Sequence, residues 1–203
     1  QSSDALLLQT PEGFHNKFRV DVRISSLVTR IEPKEKCIYV HNRLTNEEYS
    51  ENYDKLVLAT GSSPIKPGIP GVDGPNVFTL WTVPDTKQIR SFISSKNRSR
   101  AVVVGGGFIG IEMAENLWKA GIHVTLIEKQ AQVMPPLDPE MAGLLQENMV
   151  KNHVVLRLNQ GLERLEEVNG VTRVWLSNGE SLDTDMVILS LGVKPNSELA
   201  HHL

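Results

Sequence analysis

At 203 residues the chain can bury one large core or two small ones. Its 40% hydrophobic and 22% charged residues are ordinary for a globular protein, and a net charge of −3 offers no basic face to nucleic acid. No apolar run approaches the ~18 residues of a membrane helix, and "QSSDALLLQT" lacks the basic start and apolar length of a signal peptide, so a cytoplasmic location is expected.

Thr10-Pro11-Glu12 reads as a helix start, with a hydroxyl N-cap, proline at the first helical position and an acid for the dipole. It predicts a short helix to about Lys17. Three extended segments follow, "FRVDVRI", "LVTRIEP" and "KCIYVHN", with a turn at Glu32-Pro33-Lys34. In the last of them Ile38 and Val40 share one face, and Cys37 and Tyr39 the other. Cys37 is the single cysteine, so no intrachain disulfide or CxxC pair can form, and it reads as a packed strand residue. None of the six histidines has metal-ligand spacing. "EYSENYDKLVLAT" leads into an expected buried strand from Lys55 to Ala59, closed by Gly61: a β-meander feeding an α/β sheet.

"GSSPIKPGIPGVDGP", Gly61 to Pro75, is a connection rich in turn residues, and the main boundary is expected just beyond it, dividing residues 1–83 from 84–203. Asp85 to about Lys96 predicts a helix with Ile89, Phe92 and Ile93 on one face. "AVVV" is a strand buried on both sides, and Phe108 to Ala120 a helix with Ile109, Met113 and Leu117 along one side. Gly121 caps that helix, and "HVTLIE" is the next strand. Asp138-Pro139-Glu140 opens a helix to about Lys151, and "VVLRL" is a strand. Asn169-Gly170 and Asn178-Gly179 signal type I′ hairpins within a second meander. "MVILSLGVKPN" supplies one more buried strand. The two halves echo each other, each running from a meander to an apolar strand and a glycine, "KLVLATG" and "MVILSLG".

Gly105, Gly107 and Gly110 fit G-x-G-x-x-G between a strand and a helix. Gly105 permits the tight turn, Gly107 the approach of a pyrophosphate, and Gly110 close packing of helix on strand. The helix N-terminus offers unpaired N–H groups and partial positive charge to phosphate. Glu128, ending the second strand, is placed to accept from the adenosine ribose hydroxyls, and its charge favours NAD(H) over NADP(H). Glu112 suits either the helix dipole or the nicotinamide side of such a ligand. Lys129 reads as a solvated charge, and Phe108 as either core packing or an aromatic inside the phosphate loop.

Together "LLLQTPEGF", "YDKLVLATGSSPIKPGIPGVD", "VVVGGGFIGIEMAENL" and "VILSLGVKPN" resemble the pyridine nucleotide–disulfide oxidoreductases, and within them the branch of coenzyme A-disulfide reductase, NADH-dependent persulfide reductase and NADH oxidase. The resemblance implies an α/β fold: an FAD/NAD(P)-binding, Rossmann-like parallel sheet with a β-meander, plus a partial second domain of the same kind. Residues 1–83 would be a partial FAD-binding domain with the interdomain linker, and 84–203 the NAD(H)-binding domain. Ala59, Thr60 and Gly61 would lie along FAD, and the backbone of Val28 against its adenine. Gly105, Gly107, Phe108, Ile109, Gly110, Glu112, Glu128 and Lys129 would surround NADH, with Gly192 near its nicotinamide half. Phe108 would be the family's movable aromatic between nicotinamide and flavin. Lys17 is the basic candidate toward a coenzyme A-type thiol or disulfide substrate. The family's first FAD loop, its "CGLPY"-like redox segment, its "AVGD" motif and its dimerisation domain have no counterpart here. The chain therefore looks like an internal portion of a homodimeric parent, itself without reductase turnover and without nucleic-acid or membrane partners. An NADH oxidase or a ferredoxin or rubredoxin reductase of the same fold, and a non-catalytic NAD-binding module, remain the alternatives.

Overall fold

The computed structural model describes residues 8–95 and 99–201. The chain forms two compact units, one of Gln1–Ser62 with Pro195–Leu203 and one of Ser63–Lys194. The change of unit falls at Ser62/Ser63, ahead of the boundary expected near Pro84, because Val77–Thr79 already pairs into the sheet of the second unit.

In the first unit α1 (Pro11–Phe18) starts as expected, with Thr10 Oγ1 accepting from Gly13 N–H at 3.1 Å, and ends at Arg19 in the left-handed region. "FRVDVRI" forms no strand. Its alternating Phe18, Val20 and Ile24 are exposed, while Arg23 is held by charge, with Glu51 at 2.6 Å and Asp21 at 3.2 Å. β1 (Ser26–Glu32), β2 (Cys37–Asn42) and β3 (Glu48–Asn52) make the expected antiparallel meander, in the order β1-β2-β3. A register shift between Val28 and Arg30 bulges β1. Ile31, Cys37 and Val40 are the buried apolar residues of this unit among those described. The buried strand expected at Lys55 to Ala59 is absent. These residues are irregular and, apart from half-buried Leu56, exposed, since no strand pairs with them among the described residues. β4 (Ser62–Pro64) pairs with β13 (Val193–Pro195), where the chain leaves and re-enters the unit.

The second unit is built on β5 (Val77–Thr79), β6 (Arg100–Val104), β7 (His123–Ile127), β8 (Val155–Arg157) and β12 (Met186–Leu189), all parallel and ordered β5-β12-β6-β7-β8. The two-residue period of the strands splits its core into two layers. Ala101, Val103, Leu126, Met186 and Ile188 pack with the side of α2 (Val83–Ser95), α3 (Phe108–Lys119) and α4 (Pro139–Lys151). Val102, Val104, Ile127, Val187 and Leu189 face Leu165, Val174 and Leu176 of the second meander, β9 (Leu162–Val168), β10 (Val171–Leu176) and β11 (Ser181–Thr184). Burying each of the Val, Leu, Ile and Met side chains among them contributes about 1.5–3 kcal/mol.

The helix ends follow local chemistry. α2 opens on a reciprocal pair in which Asp85 Oδ2 accepts from Thr82 N–H at 2.6 Å and Thr82 Oγ1 from Asp85 N–H at 3.5 Å. Burial pushes the Asp85 carboxyl up, but the hydrogen bonds from Thr82 and Trp81 outweigh it and hold it below the ordinary 3.8. The expected last residue of this helix, Lys96, lies outside the described residues. The fully buried line of α3 is Gly110, Ala114 and Leu117; of the expected line Leu117 is buried, Met113 packs at the edge of the core and Ile109 is half-buried, because Gly110, close against the backbone of Gly105, sits innermost. Asn169 and Gly170 both take positive φ, as a type I′ turn requires, whereas at Asn178-Gly179 only Gly179 does. There Gly179 N–H donates to Leu176 O, and the Asn178 side chain accepts from Glu180 N–H, giving a longer connection closed by glycine.

Candidate functional site

The glycine loop lies at the carboxyl end of β6, between the ends of β12 and β7. Gly105 has φ +107, and a Cβ on it would stand 2.3 Å from Ser190 O; a Cβ on Gly110 would stand 1.9 Å from Gly105 O. Neither position accepts a side chain: Gly105 makes the positive-φ turn off β6, and Gly110 lies close against its backbone. Gly107, the N-cap of α3, is different: a Cβ there would meet nothing within 4 Å. The backbone face at Gly107 is open, and the first α3 bond runs from Ile111 N–H to Gly107 O at 3.0 Å, so the N–H groups of the first helical residues have no intrahelical acceptor. The middle glycine, Gly106, is buried and held from both sides. Its N–H donates to Glu128 Oε2 at 2.6 Å, and its carbonyl accepts from Met134 N–H at 2.7 Å.

Glu128 follows β7 directly and is half-buried, its other oxygen accepting from Gln130 N–H at 2.7 Å. Around the loop Phe108 is 71% exposed, which overturns core packing as its role. Glu112 and Lys129 are exposed, and Ile109 is half-buried. Gly192, with φ +91, follows β12 and accepts from Ile65 N–H at 3.0 Å.

In the first unit Ala59, Thr60 and Gly61 line a hollow of about 320 Å³ with Leu58, Pro195, Asn196, Ser197, Leu199 and Ala200. Asn196 ties that hollow together: Nδ2 donates to Thr60 O at 3.0 Å, N–H donates to Gly61 O at 3.0 Å, and the Asn196 carbonyl accepts from the Thr60 hydroxyl. Val28 lines a separate hollow of about 300 Å³ with Asp21, Arg23, Val40, Tyr49 and Glu51. Lys17 is exposed on α1, its Nζ 5.1 Å from the centre of the Phe18 ring. Val28 and Ala59–Gly61 thus line different hollows, and Lys17 lines neither. Among the described residues no group of three or more His, Cys, Asp or Glu converges as a metal site. No helix among them is long and apolar enough to cross a membrane.

Residues 6–203 match the family described as pyridine nucleotide-disulphide oxidoreductase. The chain belongs to that family. It is 36% identical over 201 residues to an NADH oxidase of Methanocaldococcus jannaschii, covering 98% of this chain and 44% of that protein. Among solved structures, reduced Bacillus anthracis CoADR-RHD is 46% identical with a TM-score of 0.92, over 98% of this chain and 36% of that one. The NAD-dependent persulfide reductase of A. fulgidus is 32% identical with a TM-score of 0.89, over 97% and 36%. The chain thus spans less than half the length of these pyridine nucleotide-disulphide oxidoreductases.

Sequence reasoning missed several residues of this candidate site. Gly106 and Met134 carry the backbone bonds that hold the loop, and the visible signal was a third consecutive glycine beyond what G-x-G-x-x-G requires. Asn196 stands at the end of the "LGVKPN" motif, and its amide bonds only become visible once residues 136 positions apart are brought together.

Proposed function

We propose that this chain supplies dinucleotide-binding parts of an NADH-dependent flavoprotein oxidoreductase that reduces a disulfide or persulfide, with coenzyme A disulfide as the type of substrate. The observation that carries the reading is the asymmetry of the glycine loop. Gly105 and Gly110 are closed by backbone, while Gly107 is open to an incoming group at the start of α3. Such a cradle fits a diphosphate, with N–H donors and the helix dipole facing it. Glu128 spends one acceptor site of each oxygen on the backbone, and the lone pairs that remain suit ribose hydroxyls of NADH. Ile109, Glu112, Lys129 and Gly192 would border the bound dinucleotide, and exposed Phe108 would be the aromatic that moves as the nicotinamide enters. In the first unit the hollow at Ala59, Thr60 and Gly61 would receive FAD, with Val28 toward its adenine and Lys17 toward the thiol substrate. NADH and FAD, when bound, supply the hydride chemistry, and the protein supplies position and electrostatics.

The single cysteine, Cys37, is buried in β2, so the residues of this chain provide no exposed thiol for a disulfide step, and that step is assigned to the whole protein. A cytoplasmic, homodimeric whole protein belongs to the same proposal. A second reading, NADH oxidase, is favoured by the Methanocaldococcus jannaschii relative of that name. Oxygen consumption set against disulfide consumption by the whole protein separates the two.

The deciding experiment is Gly107→Asp. Aspartate is a favoured N-cap and no atom obstructs it, so the variant should be as stable as the original or about 0.5–1 kcal/mol more so. Its negative charge would face the diphosphate, so NADH affinity by calorimetry should fall about tenfold or more, roughly 1.4 kcal/mol. An original chain that binds no NADH, or a variant that binds it equally well, sinks the reading.

A further inference from the structure

The glycine loop is held by a wall behind it, and that wall is itself held by one side chain of α4. Gly106 is pinned through its N–H by Glu128 and through its carbonyl by Met134. The wall is in close contact with the loop: a Cβ on Gly106 would stand 3.1 Å from Val133 Cγ1 and 3.2 Å from Glu128 Oε2. Met134 presents its N–H from a left-handed conformation, φ +48, which a non-glycine residue keeps only when its surroundings impose it. The preceding N–H, of buried Val133, finds its acceptor in Gln146 Oε1 at 3.1 Å. Gln146 lies on α4 one turn from Ala142 and three residues before Met149, both of which anchor that helix in the core. Two hydrogen bonds, joined through the Val133–Met134 backbone, therefore link a packed helix to the peptide at the centre of the loop.

We propose that Gln146 is a positioning residue that presets the glycine loop for dinucleotide binding, a reading that rests on the loop being the NADH site. Without the Gln146 acceptor, the Val133 N–H would be left buried and unpaired, and the Val133–Met134 step would turn to find another partner. Met134 would then release the Gly106 carbonyl, and the loop would become an ensemble from which NADH must select one member. The loss would appear as weaker binding at unchanged ligand contacts, because a partly populated competent state lowers apparent affinity by its fraction.

The test compares Gln146→Met, which keeps shape and removes the acceptor, with Gln146→Glu, which keeps the acceptor. Gln146→Met should weaken NADH binding about fivefold and speed exchange of the Gly106 amide by about the same factor, with Gln146→Glu restoring both. A lowered unfolding midpoint with unchanged NADH affinity and unchanged Gly106 exchange would mean a merely structural bond and overturn the proposal. The original chain supplies a measurement that needs no variant: the amides of Gly106, Val133 and Met134 should exchange as one cooperative group, and three independent rates would refute the linkage. If the original chain binds no NADH, the functional reading fails, while the exchange data still decide whether Gln146 holds the loop.

Discussion

Residues 53–61 and 184–192 carry closely matched patterns, "YDKLVLATG" and "TDMVILSLG", and they meet opposite fates. In the second, Met186–Leu189 becomes β12, paired in parallel with β5 on one side and β6 on the other and covered on both faces. In the first, Lys55–Ala59 has no strand partner among the described residues, and Val57 is 85% exposed. Even the shared aspartate differs. Asp185 Oδ2 accepts from Ser99 N–H at 2.9 Å and Arg100 N–H at 3.0 Å, anchoring the start of β6, while Asp54 is exposed. Only the closing glycines behave alike, at φ +69 for Gly61 and +91 for Gly192. An apolar run is thus a strand only where neighbours complete its ladder and cover its faces. A glycine turn needs no more than its own backbone.

The strongest way to break this comparison is at the strand centres. Ile188→Ala removes a side chain with 0% exposure and should cost about 2–5 kcal/mol by denaturant unfolding. Val57→Ala in the same chain should stay within roughly 0.5 kcal/mol, and a large loss there would show that the first run is buried in solution. The flanking acids give a smaller contrast. Asp185→Ala leaves two strand-start N–H groups without their acceptor and should cost about 1–3 kcal/mol, with Asp54→Ala close to neutral; equal effects would remove the distinction. The glycines should give the least and the most nearly equal change. Gly61→Ala and Gly192→Ala meet no atom closer than 3.9 Å, so each should cost only the left-handed backbone, about 1 kcal/mol, and a large difference between them would point to a constraint not seen in either turn.

Much of the fold was legible before any coordinates. Thr10-Pro11, Asp138-Pro139 and Gly121 marked helix ends because caps are local, and the run Ala101–Val104 announced a strand covered on both faces. "FRVDVRI" has the composition of an extended segment but forms no strand, since no neighbour among the described residues pairs with it. On α3 the close approach of Gly110 was legible from the motif, whereas full burial of Ala114, beside Met113 at the edge of the core, was not. At the candidate site the three motif glycines and the acid at the end of β7 were visible as spacing. The bond from Glu128 to Gly106, the left-handed Met134 and the reach of Gln146 were not, since each joins residues whose proximity only the packed unit creates.

By itself the order of residues determined where the chain turns, which helices begin and end, and that a glycine loop would lie between a strand and a helix, because these depend on backbone sterics and hydrogen bonds within a few positions. Tertiary structure alone decided which of two matching apolar runs became a strand, which peptide of the loop is held, and by what. Sheet pairing, burial and acceptor sharing are properties of neighbours brought together by folding, and no single segment contains them.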